Sequence, residues 1–189
     1  MSIQSDRELQ KKLTKYSRNL CYILRHKPES IGLKLDDQGW VGVEDLIIAT
    51  TETDYPLSED LLSEIVISDD KQRFALSKDG LKIRASQGHS VDINLGLKPS
   101  RPPELLYHGT TDRSLKSILS NGLQKQQRMH VHLSTTREQA KTVGKRQGRL
   151  VILDVRAQEM GNEGYQFYLS GNGVWLTDHV PSEYIDEQI

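Results

Sequence analysis

From Asp6 to His26 the apolar residues Leu9, Leu13, Tyr16, Leu20 and Ile23 recur every three to four positions. That spacing predicts an amphipathic helix with this face buried. Lys11, Lys15, Arg18, Tyr22 and Arg25 repeat at the same spacing on another face, a basic stripe with one aromatic in it. Pro28 ends the helix just after Arg25-His26-Lys27, because a proline disfavours helical backbone in the residue before it. Next, Gly32-Leu-Lys-Leu35 and Trp40-Val41 flank the polar Asp36-Asp-Gln-Gly39 and read as a short hairpin. Val43–Thr50 and Ser58–Ile67 carry helical patterns, with Ser58 as N-cap. Arg73–Leu76 and Leu81–Arg84 read as strands joined through the turn Lys78-Asp79-Gly80. Helices followed by a β-hairpin suggest a winged-helix lobe over residues 1–96, an architecture that does not by itself fix a function.

Leu97-Lys-Pro-Ser-Arg-Pro-Pro-Glu104 breaks the pattern. Three prolines in so short a run disfavour helix and central strand, so residues 97–104 read as a linker and 105–189 as a second lobe. In that lobe Leu105–Thr111 reads as a buried strand running into a turn at Gly109. Ser114–Ser120 reads as a helix stopped at Asn121-Gly122. A strand over Arg128–Thr136, a basic helix through Gln139–Gln147 and the aliphatic strand Leu150–Val155 follow. Gln166–Leu169 and Val174–Leu176, joined by Gly171-Asn-Gly173, complete a β-rich lobe. The expected class is α+β, without internal repeats or low-complexity tracts.

Alternation along Arg128-Met-His-Val-His-Leu-Ser-Thr-Thr136 puts Met129, Val131 and Leu133 on one strand face. Arg128, His130, His132 and Ser134 then line the other, a row of donors with no acid among them. It reads either as a surface for an anion or as an ordinary half-buried strand with a basic face. Arg25 and His26 leave the same choice open: cations at a helix C-terminus complement its dipole, and they also suit a phosphate. Arg73, next to Asp69-Asp70-Lys71, reads as an ion-pair partner or as a placed cation. His89, in the polar loop Gln87-Gly-His-Ser90, touches a ligand or caps the loop.

Charged residues make up 27% of the chain and the net charge is -1. Any nucleic-acid contact therefore rests on local clusters rather than on a global field. The single cysteine, Cys21, excludes an internal disulfide and suits a reducing cytoplasm. Met1–Lys12 lacks the apolar core of a secretion signal, and no apolar run approaches a membrane span. The expectation is a cytoplasmic monomer with no membrane partner. Phosphate-loop, dinucleotide glycine and kinase motifs are absent. His130-x-His132 with His108 offers three imidazoles, but no acid or cysteine completes a metal set, so no metal is expected. Cys21 lies mid-helix among apolar neighbours and is no nucleophile.

Tyr107-His-Gly-Thr110 followed by Arg128-x-His-Val-His-Leu-Ser134 resembles the nicotinamide-dinucleotide pocket of the ADP-ribosyltransferase superfamily. Taken with Leu24-Arg-His-Lys-Pro28, Arg73-Phe74, Gln87-Gly-His-Ser90 and Asn172-Gly-Val-Trp-Leu176, the chain is similar to the RNA (tRNA) 2′-phosphotransferase family. The resemblance runs in order from about Leu20 to Tyr184. It implies a C-terminal ADP-ribosyltransferase-like lobe and removal of an internal RNA 2′-phosphate, of the tRNA splice-junction type, with NAD consumed as co-substrate. In that chemistry the RNA phosphate attacks the nicotinamide ribose and expels nicotinamide. The neighbouring ribose hydroxyl then attacks phosphorus, leaving 2′-OH RNA and ADP-ribose 1″,2″-cyclic phosphate.

By the same resemblance the essential positions fall on Arg25, His26, Arg73 and Arg128. Arginine forks suit the task, because they hold phosphate oxygens in fixed geometry without losing charge. His26 either donates a proton to the departing RNA 2′-oxygen or positions the phosphate. His108, Gly109, Thr110, His132 and Ser134 are assigned to the dinucleotide, and Arg18, Lys27 and His89 to the RNA. Protein-modifying ADP-ribosyltransferases place a glutamate late in the lobe. Here Gly173-Val-Trp-Leu176 offers Val174 instead, and Glu183 lies beyond it. Two other functions remain to be separated: a nucleic-acid-phosphate ADP-ribosyltransferase that stops after the first step, and a non-catalytic winged-helix binder.

Overall fold

Leu13, Leu20, Ile23 and Leu24 form one apolar side of the first helix and are almost wholly buried. At about 1.5–3 kcal/mol for each large apolar side chain removed from water, that face anchors everything around it. The computed structural model describes residues 3–144 and 148–187. The chain divides into two compact units, Met1–Gly96 and Leu97–Ile189.

The first unit contains α1 (Ile3–His26), a 3-10 turn at Pro28–Ile31, β1 (Val41–Gly42), α2 (Val43–Thr50), α3 (Glu59–Ile67), β2 (Phe74–Leu76) and β3 (Lys82–Ala85). Leu46 of α2, Leu62 and Ile65 of α3, and Phe74, Ile83 and Ala85 of the sheet close over the α1 face. Ser58 caps α3, its hydroxyl accepting the Leu61 N–H at 3.3 Å. Leu9 departs from the expected buried face: it is 41% exposed, and the buried run of α1 begins at Leu13. The hairpin expected across Asp36–Gly39 is also revised. Asp36 accepts the amides of Gln38 (3.0 Å) and Trp40 (2.9 Å) through its carboxylate and donates its own N–H to the Trp40 carbonyl at 2.9 Å. The result is a carboxylate-held turn, not a ladder. β1 pairs with β3, giving the antiparallel order β1-β3-β2.

The second unit runs β4 (Leu106–Thr111), α4 (Asp112–Asn121), β5 (Leu123–Gln124), β6 (Val131–Leu133), α5 (Arg137–Gly144), β7 (Leu150–Val155), α6 (Ala157–Asn162), β8 (Tyr168–Leu169), β9 (Trp175–Thr177), β10 (His179–Val180) and β11 (Ile185–Glu187). Two three-stranded antiparallel sheets, β11-β7-β4 and β6-β9-β8, share a core of Leu106, Leu153, Val155, Val131, Leu133 and Trp175 with Met160 and Phe167. Residues 97–104 lie against this unit. Pro99 bridges Tyr168, and the Ser100 N–H donates to the Phe167 carbonyl at 2.8 Å. The basic helix expected through Gln139–Gln147 is present as α5, and its last three positions, Lys145–Gln147, lie outside the described residues. Mixed α and β structure, in small antiparallel sheets, is thus the observed class.

Two expectations change in this unit. The strand expected over Arg128–Thr136 is only Val131–Leu133, with Ser134 as a bridge to Tyr107. Upstream, Gln126 has φ +55°, and the Arg128 N–H donates to the Lys125 carbonyl at 3.0 Å. A closed turn therefore holds Arg128, which does not share a strand face with His132. Met129 is half-buried and lies outside the core that takes Val131 and Leu133. Gly109 is not a turn residue: it lies inside β4, opposite Ile152 of β7.

Candidate active site

The C-terminus of α1 is clasped by residues 88–91. The N–H groups of Ser90 (2.9 Å) and Val91 (3.4 Å) donate to the Arg25 carbonyl, one of the acceptors a helix end leaves open. The Ser90 hydroxyl lies 2.9 Å from His26 Nδ1. Gly88, at φ +90°, lies against the Arg25 guanidinium, and a Cβ there would come 3.4 Å from Nη1. Nε and Nη2 of Arg25 are buried and have no hydrogen-bond partner. Burial holds the Arg25 pKa below the ordinary arginine value; Cys21 opposes this, Arg73 adds to it and Asp69 opposes it. Arginine nevertheless stays charged. A buried cation with open N–H groups is costly unless an anion completes it.

Arg73 stands one residue before β2, in a turn built on Asp69. That carboxylate accepts the N–H of Arg73 at 2.6 Å and of Lys71 at 3.2 Å, and forms an ion pair with the Arg73 guanidinium. Asp69 is 8% exposed, so Arg73 is fixed by a buried partner rather than by a solvated one.

His89 is placed differently from a residue that touches RNA. It is 2% exposed, and both of its ring nitrogens are buried without a hydrogen-bond partner. Burial, reinforced by Arg25, His26 and Arg84, pushes its pKa down to about 3. As placed, any part it plays passes through its neighbours. Arg18 and Lys27 are exposed, and Lys27 lies 3.4 Å from Glu29. Burial pushes the Cys21 thiol up, against the pull of Arg25 and Arg73, which keeps it a poor nucleophile.

In the second unit, strand alternation separates neighbouring site residues. Leu106, His108 and Thr110 face one side of β4, while Tyr107, Gly109 and Thr111 face the other. His108 Nδ1 lies 3.1 Å from the His132 carbonyl oxygen. Tyr107 and Ser134 exchange backbone hydrogen bonds of 2.9 and 2.8 Å, which tie β4 to β6 beside His108. Gly109 backs onto α5, where a Cβ would come 2.8 Å from the Ala140 carbonyl carbon and 3.0 Å from the Gly144 nitrogen. Before β9, Ser170 is buried and accepts the Val174 N–H at 3.0 Å, closing the loop that contains Asn172 and Gly173.

Several supporting residues were not singled out from sequence. Ser90 is one, and Asp69 is another in that the sequence offered it only within the group Asp69-Asp70-Lys71 beside Arg73, as an ion-pair partner at the surface. Asp154 is a third: it is 3% exposed and 2.5 Å from Arg137, whose guanidinium carbon lies 5.4 Å from the Tyr107 ring centre. A lone carboxylate in the aliphatic run Leu150–Val155 was the available signal, since a buried charge needs a partner. A cavity of about 480 Å³ elsewhere in this unit is lined by Asp112, Lys141, Arg149 and Glu187 among others and includes none of the expected dinucleotide residues. Among the described residues, no group of three or more His, Cys, Asp or Glu side chains is arranged to hold a metal ion. No helix among them is long and apolar enough to cross a membrane.

Two half-buried arginines, Arg25 with two buried N–H groups lacking a partner, thus stand with His26 in the first unit. Comparison with known proteins names the class. The profile of the RNA 2′-phosphotransferase, Tpt1/KptA family matches residues 11–179. A protein of Acaryochloris marina is 49% identical over 179 residues, 95% of this chain and 99% of that one. One from Agrobacterium fabrum is 51% identical over 172 residues, covering 91% and 92%. One from Pectobacterium atrosepticum is 45% identical over 180 residues, covering 95% and 100%. Each bears the name "Probable RNA 2′-phosphotransferase". The chain belongs to the RNA 2′-phosphotransferase family, a family of transferases.

Proposed function

We propose that this protein is an NAD-dependent RNA 2′-phosphotransferase, producing 2′-OH RNA, nicotinamide and ADP-ribose 1″,2″-cyclic phosphate from an internally 2′-phosphorylated RNA. The observation that carries the reading is the Arg25 guanidinium, whose Nε and Nη2 are buried without a hydrogen-bond partner. A phosphate supplies the missing acceptors and the compensating charge. In this reading the first unit is a winged-helix, RNA-binding lobe and the second an ADP-ribosyltransferase-like lobe.

Arg25 and Arg73 hold the RNA 2′-phosphate, Arg73 in an orientation set by Asp69. Their fixed charges lower the cost of bringing one phosphate against another away from bulk water. Arg128, in the second unit, is the third arginine that this reading assigns to the reaction, its fork suited to phosphate oxygens. His26 gives its proton to the departing 2′-oxygen of the RNA. Arg18 and Lys27, both exposed, contact the RNA backbone, and His89 acts from the interior by anchoring the loop that clasps the end of α1. The 2′ substituent itself discriminates RNA from DNA.

The donor set of the second unit fits a dinucleotide. The His108 ring is anchored at Nδ1 by the His132 carbonyl. Thr110 shares its strand face, Ser134 is tied beside it, and Gly109 keeps β4 close to α5. When bound, NAD supplies an electrophilic ribose carbon with a good leaving group. No metal is required in this reading, because the arginines take the charge.

The test is incubation of a short internally 2′-phosphorylated RNA with NAD, followed by mass spectrometry. Loss of the phosphate together with ADP-ribose cyclic phosphate supports the reading, and Arg25→Ala or His26→Ala should then block completion. An ADP-ribosylated RNA that accumulates without resolving assigns the one-step transferase instead. No NAD consumption at all leaves only the winged-helix binder.

A further inference from the structure

Ser90 and His26 are 64 positions apart in sequence, yet their side chains meet at 2.9 Å. The placement of Ser90 does not depend on its hydroxyl. Its N–H is held by the Arg25 carbonyl, Gly88 before it adopts φ +90°, and His89 anchors the loop in the interior. The hydroxyl is thus presented to Nδ1 by a backbone that is already fixed, on the helix end that carries Arg25.

In neutral imidazole one ring nitrogen carries the proton, and the hydrogen bond at the other nitrogen decides which. We propose that Ser90 is a positioning residue acting through His26: its hydroxyl oxygen accepts from Nδ1–H, orients the ring and leaves Nε2 as the nitrogen that delivers the proton. This rests on the functional reading above, in which His26 delivers a proton. As imidazolium the ring gives up its Nε2 proton and returns to the neutral Nδ1–H form, which the Ser90 oxygen holds in place; without that oxygen the ring turns, and turnover suffers while RNA binding by the arginines does not.

The experiment has two arms on the full chain. In the first, ring-15N histidine NMR follows His26, assigned by the signals lost in His26→Gln, at a pH where the ring is neutral. The expected result is Nδ1 protonated and Nε2 unprotonated, a preference lost in Ser90→Ala and restored in Ser90→Thr. In the second, single-turnover rates and KM for the 2′-phosphorylated RNA are compared. Ser90→Ala should lose about 10-fold or more in rate, the order of a misaligned catalytic group, with KM within about two-fold and rescue by Ser90→Thr. An unchanged tautomer in Ser90→Ala overturns the ring assignment. An unchanged rate, or a loss confined to KM, overturns the positioning role. Absence of transfer by the wild-type protein refutes the functional reading, and with it the positioning role, while the NMR arm alone decides the ring assignment.

Discussion

Gly109 of β4 and Ala140 of α5 meet backbone to backbone, with no room between them for a Cβ. Gly144, one helical turn further on, faces the same glycine: a Cβ on Gly144 would come 2.8 Å from the Gly109 carbonyl carbon. A helix is thus seated on the strand that also presents His108 and Thr110 from its opposite face.

Gly109→Ala should therefore act first on stability. The added methyl meets the Ala140 carbonyl and not a flexible side chain, so α5 must move. Overpacking of this kind costs about 1–3 kcal/mol. Urea unfolding followed by circular dichroism should show a lower midpoint with an unchanged slope. A glycine needed only to make room for a ligand would leave the midpoint where it is.

Asp69→Asn separates the two halves of the Asp69–Arg73 arrangement. Asparagine still accepts one backbone amide of the turn but no longer balances the guanidinium charge. Hydrogen bonds to charged groups are worth about 1.5–3 kcal/mol, and Arg73 is a third exposed, which places the loss near the lower end. Turnover should fall as well, since Arg73 loses its fixed orientation. Equilibrium unfolding and single-turnover assays on the same variant check both. A stability loss with full activity would remove Arg73 from the phosphate site.

His89 makes stability depend on pH in a defined direction. Its pKa is about 3 in the folded chain and about 6.5 when unfolded. Between those values the unfolded chain binds the extra proton, so stability is complete above pH 6.5 and drains away as pH falls toward 3. At about 1.4 kcal/mol per unit, the loss from pH 7 to pH 5 is roughly 2 kcal/mol. Burial also lowers the pKa of His130, which adds a slope of the same sign. Comparing His89→Gln with the parent chain from pH 5 to 7.5 by urea unfolding isolates His89, and the variant should show the flatter profile.

The elements legible in sequence were those with local causes. The helices Val43–Thr50 and Glu59–Ile67 follow from apolar spacing and the Ser58 cap. α6, barely more than one turn, and β11, which reads Ile-Asp-Glu at a sheet edge, carry too little periodicity to declare themselves. Alternation misled at Arg128–His130, where backbone bonding closes a turn that side-chain pattern does not reveal. It misled again at Gly109, because a glycine demanded by a crossing helix looks the same in sequence as one demanded by a turn. In the site, Arg25 and His26 were visible as cations at a helix end. The clasp by Ser90 and the burial of His89 were not, because both arise from a loop more than sixty positions away.

Arg25 offers the sharpest distinction between a structural and a functional residue. Its Nε and Nη2 sit buried without acceptors, an arrangement that burdens the folded state in the absence of a ligand. Arg25→Met keeps the apolar stem and removes the charge, and the backbone carbonyl that receives Ser90 and Val91 is untouched. The variant should match the parent in stability or exceed it by about 1 kcal/mol, as sites shaped for function trade stability for activity. Its phosphotransfer rate should fall at least about 100-fold, the usual scale for losing a preorganised charge at a reacting phosphate. Thermal unfolding and single-turnover assays on one preparation give both numbers. A variant that unfolds more easily than the parent would make Arg25 a structural ion and deprive the phosphate site of its centre.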